Sequence, residues 1–117
     1  MKFSTELEVT SSMIADQIVT GFEGGVNYWV DRAIRIKGET TEKPWYSDPK
    51  LYEQDFDIEI HAEDEVHHLT PETIKAGLEH MAKNMPSDFR DIVDHQGDAS
   101  TADVFLQCCL FKDVVYG

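Results

Sequence analysis

Apolar side chains fall on one parity along Lys2–Val9, at Phe3, Leu7 and Val9 with Thr5 as the interruption, which predicts a strand with one buried face. Thr10, Ser11 and Ser12 can cap a helix in which Ile14, Ala15, Ile18, Val19 and Phe22 share a stripe. Gly24–Gly25 is expected to end it, because glycine takes positive φ at little cost. The β-branched and aromatic run Val26–Lys37, with Tyr28, Val30, Ala33 or Ile34, and Ile36 available for burial, predicts a second strand bulged near Arg32–Ala33. Gly38–Lys50 reads as a loop punctuated by Pro44 and Pro49.

Phe56, Ile58 and Ile60 then alternate with Asp57, Glu59 and His61, and Val66–Leu69 returns antiparallel after an acidic turn at Glu63–Asp64. That tip sets Ile58 opposite Leu69, Ile60 opposite His67 and Glu59 opposite His68. Thr70–Pro71 places a capping hydroxyl before a proline at the first helical position, and Ile74, Leu78, Met81 and Met85 follow at helical spacing. Pro86 stops this helix. Ser87 can restart a short one with Phe89, Ile92 and Val93, and Gly97 breaks it before Ser100 or Thr101 caps a last helix over Ala102–Phe111. Val114–Val115–Tyr116 closes the chain. The fold class expected is α+β, a small antiparallel sheet of three or four strands with helices on one face, in a single domain over residues 1–117.

Composition adds constraints. A chain of 117 residues with 41% hydrophobic and 10% aromatic side chains is enough for one core, and its apolar runs are far too short for a membrane span. No apolar signal core stands at the start, so a cytosolic chain is expected. The formal charge of −13 disfavours direct binding to nucleic acid or an anionic membrane. Residues 1–50 carry 6 basic and 8 acidic side chains, whereas residues 51–117 carry 4 and 15. Leu51–Ile74 holds no Lys or Arg but contains Glu53, Asp55, Asp57, Glu59, Glu63, Asp64, Glu65 and Glu72. Such a stretch repels itself unless a partner or cation neutralises it.

Asp55, Asp57 and Glu59 share a parity, so an extended strand sets neighbouring carboxylates about 6.5–7 Å apart. That spacing is comparable with neighbouring phosphates. The row can act as a decoy for the phosphate channel of a basic protein, and the Glu53–Glu65 face becomes the expected contact surface. An ordinary solvated acidic face accounts for the same residues. Glu59, His61 and His68 fall on one face of the hairpin and are the only weak candidate for a divalent metal, although cross-strand Glu–His pairing explains them with less. No cofactor is expected.

In Glu23–Trp29 a glycine pair precedes Asn27, Tyr28 and Trp29, and these three with Tyr116 make an alternative small-ligand set. The Gly-x-Gly-x-x-Gly spacing and the phosphate-loop lysine are missing, so helix termination before a core strand is the plainer account. Trp45 and Tyr46 beside Pro44 are candidate interface anchors. Catalysis finds no set. No serine lies in a Gly-x-Ser-x-Gly elbow, and the adjacent Cys108 and Cys109, which cannot bridge each other without severe strain, read as apolar filler in a buried helix.

With Phe22–Trp29, Thr101–Gln107 and the closing Val114–Gly117, the sequence resembles an uncharacterised family of small acidic proteins from phages and prophages. The Tyr46–Asp48–Pro49 loop and the helix from Thr70 match more loosely. The resemblance implies a viral accessory gene and no catalytic residues. It points to a non-enzymatic inhibitor of a basic host protein, of the anti-CRISPR or anti-restriction type. The alternatives are a small-molecule-binding or enzymatic domain built on Gly24–Trp29, and an oligomeric virion protein; a homodimer is compatible with any of these.

Overall fold

The computed structural model describes residues 8–117, so the strand expected over Lys2–Val9 lies outside the described residues except at its end. Helix α1 (Ser11–Thr20) begins where Thr10 takes extended backbone and its hydroxyl accepts from the Met13 N–H at 3.2 Å. At Gly21 the α-helical winding passes into a π-type turn, which ends at the expected glycine pair with Gly25 as its last residue. Close packing explains this. A Cβ on Gly21 would come within 2.6 Å of Leu106 Cδ1, and one on Gly25 within 2.6 Å of the Ala99 carbonyl oxygen.

The second strand is shorter than the residue types predict. Val26 and Trp29 are buried in a turn whose bonds are local, Trp29 N–H to Val26 O at 3.0 Å and Val30 N–H to Val26 O at 2.9 Å. Their bulk therefore serves core packing and not strand pairing. Strand β1 is Arg32–Lys37, and its bulge falls between Arg35 and Lys37, three residues beyond the expected place. Tyr28, Ile34 and Ile36, expected to be available for burial, are exposed at 58%, 36% and 55%.

Strands β2 (Asp57–Ala62) and β3 (Glu65–Leu69) form the hairpin with the expected register, Ile58 on Leu69, Glu59 on His68 and Ile60 on His67. Glu63 and Asp64 turn it with φ of 49° and 64°. The sheet order is β1-β2-β3, antiparallel throughout. Helix α2 (Pro71–Asn84) starts under the Thr70 hydroxyl, which accepts from Thr73 N–H at 3.3 Å. Helix α3 (Pro86–Val93) begins at the proline itself, so Ser87 lies inside it. Helix α4 (Ala99–Phe111) begins earlier than expected because the Asp98 carboxylate, rather than Ser100 or Thr101, caps it, accepting from Thr101 N–H at 3.0 Å.

The architecture is α+β, with three strands and four helices among the described residues around one core of Phe56, Ile58, Ile60, Leu69, Met81, Phe105 and Leu106. Cys108 and Cys109 are free and buried within it, and burial pushes the Cys108 thiol up to about 11 and Cys109 well above its ordinary value. Among the described residues no helix is long and apolar enough to cross a membrane.

Candidate partner-binding site

The sheet face turned away from the core carries Arg32 and Ile34 on β1, Asp57, Glu59 and His61 on β2, and Val66 and His68 on β3. Its carboxylates are already engaged. His68 Nδ1 lies 2.7 Å from Asp57 Oδ1, and His61 Nε2 lies 3.1 Å from Glu59 Oε1. The Asp57 hydrogen bond, offset in part by desolvation, holds His68 above the ordinary imidazole value. Asp55 stands before β2, off the strand, in an ion pair with Lys37. The expected row of three thus becomes two strand carboxylates, with cationic or imidazole partners on all three. The metal candidate separates in the same way. His68 turns to Asp57 and His61 to Glu59, so the three side chains make no common cluster, and among the described residues no group of three His, Cys, Asp or Glu could hold an ion.

The rest of the expected contact surface is dispersed. Glu53 accepts from the Ser11 hydroxyl at 2.6 Å, Glu63 and Asp64 stand exposed at the hairpin tip, and Glu65 lies 3.8 Å from His67 Nε2. Trp45 and Tyr46 sit half-buried in a short 3-10 turn, edge-on to each other at 5.5 Å and to Phe22 at 6.3 and 5.2 Å. The Tyr46 hydroxyl donates to Glu23 at 2.8 Å, and Arg35 lies over the Trp45 ring at 5.8 Å.

The alternative ligand set divides between two places. Asn27 joins Trp45, Tyr46, Phe22 and Arg32 around a cavity of about 230 Å³. Tyr28, Trp29 and Tyr116 instead converge on α4. Tyr28 donates to Asp103 at 2.5 Å, the Trp29 indole N–H donates to the same carboxylate at 2.8 Å, and Trp29 stacks on Tyr116 with 5.0 Å between ring centroids. Partial desolvation of the Tyr28 hydroxyl, and then Asp103, push it up to about 12. One helical turn along, the fully buried Gln107 accepts from the Val115 and Tyr116 N–H groups at 2.7 and 2.8 Å. The chain segments at Tyr28–Trp29, Asp103–Gln107 and Val115–Tyr116 therefore form one hydrogen-bonded clasp, with a structural role for the aromatic residues.

A different acidic surface went unnoticed in the sequence. Asp88, Asp91, Asp94 and Asp98 follow one another along α3 and the turn to α4, with Arg90 as the only Lys or Arg among them. None of the four lies in a salt bridge among the described residues. Burial, then repulsion from Asp91 and Asp98, push the Asp88 carboxyl above the usual range. The signal was four aspartates within eleven positions. It was masked by the longer lysine-free run upstream, whose one compensating lysine, Lys37, comes from a distant strand. Comparison with protein-family models, curated proteins and solved structures returned no match.

Proposed function

We propose that this chain is a non-enzymatic acidic binding protein of the phage accessory kind, which docks on a basic nucleic-acid-handling protein of the host cytosol and blocks it. The observation that carries this reading is the lack of internal compensation. With a formal charge of −13, the chain has among its described residues a single contact between a carboxylate and a Lys or Arg, Lys37–Asp55, the other close pairs using histidine. Such a surface gains from a basic partner both faster encounter and charge-assisted hydrogen bonds. The acidic residues at the hairpin tip and along α3 are the parts with most to gain, since Asp55, Asp57 and Glu59 have partners of their own.

The test is a pull-down from host lysate with the purified chain as bait, followed by binding of the purified partner at low and raised salt. A basic nucleic-acid-binding protein that salt releases and that DNA displaces is the supporting result. Retention of only acidic or neutral proteins at high salt overturns the reading. Lysine at Asp55, Asp57 and Glu59 together tests the sheet face: unchanged partner binding removes that face from the interface. A second reading is favoured by the cavity that unites Asn27 with Trp45 and Tyr46. It would take a small planar ligand, and the thermal shift that ligand causes would be lost in Trp45→Ala.

A further inference from the structure

Three separately anchored pieces of chain meet around the cavity of about 230 Å³. Asn27 stands in the turn after the glycine pair, where the Val30 N–H donates to Val26 O at 2.9 Å. Asp31 and Arg32 lie at the start of β1, and the Asp31 N–H donates to His61 O at 2.7 Å, which ties this rim to β2. Trp45 and Tyr46 ride on the 3-10 turn, which the Tyr52 hydroxyl fixes by donating to Tyr46 O at 2.6 Å. The walls are therefore held by hydrogen bonds that need no ligand to form, so little ordering is left for binding to impose.

The lining combines an aromatic interior with a polar edge. The rings of Phe22, Trp45 and Tyr46 meet at angles between 65° and 82°, so no pair of them is stacked in parallel, the contact that a flat guest would add. Asn27, Asp31 and Arg32 are exposed, and neither Asp31 nor Arg32 has a salt bridge among the described residues. The Trp45 indole N–H has no acceptor among them either, whereas Trp29 spends its own on Asp103.

Size and charge narrow the guest. The cavity lies below the about 300–1,000 Å³ of sites for drug-sized ligands, which suits a single fused ring system. A carboxylate, which only accepts, beside the guanidinium fork, which only donates, asks for a ring with paired N–H donors on one edge and acceptors on the next. Guanine has both, its N1–H and N2 amino group on one edge and O6 and N7 on the other, and arginine reads the second pair bidentately. Adenine offers a carboxylate no ring N–H on that edge. Asp31 and Arg32 cancel in charge and the whole chain carries −13, so a phosphate on the guest is repelled.

We propose that this cavity binds guanine in uncharged form, as the free base or the nucleoside, with Asp31 accepting from N1–H and the N2 amino group and Arg32 donating to O6 and N7. The assignment names the ligand class for the planar-ligand reading of the cavity given above, and rests on it.

Calorimetric titration of the intact chain with guanosine, inosine, adenosine and guanosine 5′-monophosphate tests the site. Saturable binding is expected for guanosine, about tenfold weaker for inosine, which lacks the N2 amino group, and absent for adenosine. The monophosphate should bind about threefold more weakly than guanosine at low salt, with the gap closing as salt rises. Asp31→Asn, at an exposed position and checked by an unchanged unfolding midpoint, should abolish the preference for guanosine over inosine. Heats with guanosine that do not saturate, or a preference over inosine that survives Asp31→Asn, overturn the guanine assignment. Adenosine bound as tightly as guanosine, and lost in Trp45→Ala, also overturns it while leaving a planar-ligand site standing. That wider reading falls if no flat heterocycle in a thermal-shift panel raises the unfolding midpoint. A monophosphate bound as well as guanosine at low salt overturns the restriction to the uncharged form.

Discussion

Gln107 and Gln17 are both all but sealed from solvent, at 0% and 3% exposure, yet the carbonyl of Gln107 accepts two backbone N–H groups while that of Gln17 accepts none. The Gln107 amide nitrogen is equally occupied, within hydrogen-bond reach of Asp103, Tyr28 and the Tyr116 carbonyl. Burial of a polar side chain therefore does not define its role; the state of its hydrogen bonds does. At Gln107 the bonds close the molecule on itself and tie its last residues to α4. At Gln17 one acceptor is sealed off without a donor.

Replacing Gln107 by leucine should do the greatest harm. It leaves two backbone N–H groups and one side of Asp103 without partners, and urea unfolding should show a loss of about 2–4 kcal/mol. Asp103→Ala comes next, at about 2 kcal/mol, since the Trp29 indole N–H loses a charged acceptor; Trp29 fluorescence should shift along with the unfolding midpoint. Gln17→Met should reverse the sign, leaving stability unchanged or raising it by up to about 1 kcal/mol, because it removes a carbonyl that has no donor. A loss as large as that of Gln107→Leu would erase the contrast between the two glutamines.

The smallest effect concerns the sheet, which stands between these extremes with polar groups paired but wet. Because Asp57 raises the His68 pKa in the folded state, the stability this pair adds is full below the unfolded histidine value. It is lost as pH rises through the raised folded value. Unfolding midpoints followed upward from about pH 6 should fall slightly in the parent. Asp57→Asn should remove that part of the slope. A slope unchanged in Asp57→Asn would assign it to another histidine.

Local pattern carried much of the fold. The alternation of Ile58 and Ile60 with charged neighbours, and a two-residue acidic turn, were enough to set the hairpin register, and Thr70–Pro71 marked the start of α2. Errors arose where a distant contact overrode a local preference. Val26–Val30 has strand-like residues but coils, because Gly21 and Gly25 let this segment press against α4 some eighty positions away. The α4 start moved because an aspartate one residue past Gly97 outcompeted the hydroxyls that follow it. The site suffered for the same reason. Lys37, His68 and His61 pair with carboxylates that looked unopposed along the chain, while the contact of Gln17 with Gly97 has no signature in either neighbourhood.

Gly77 brings α2 so near α4 that a Cβ there would stand 2.6 Å from Cys109 Cα and 2.7 Å from its amide nitrogen. The Cys109 thiol, 3% exposed and held protonated by its surroundings, thus lies behind a seam of backbone on backbone. No rotamer change uncovers it, and a thiol reagent reaches it only after the two helices have parted. The chain therefore carries its own clock: the rate at which Cys109 is labelled counts how often the core opens.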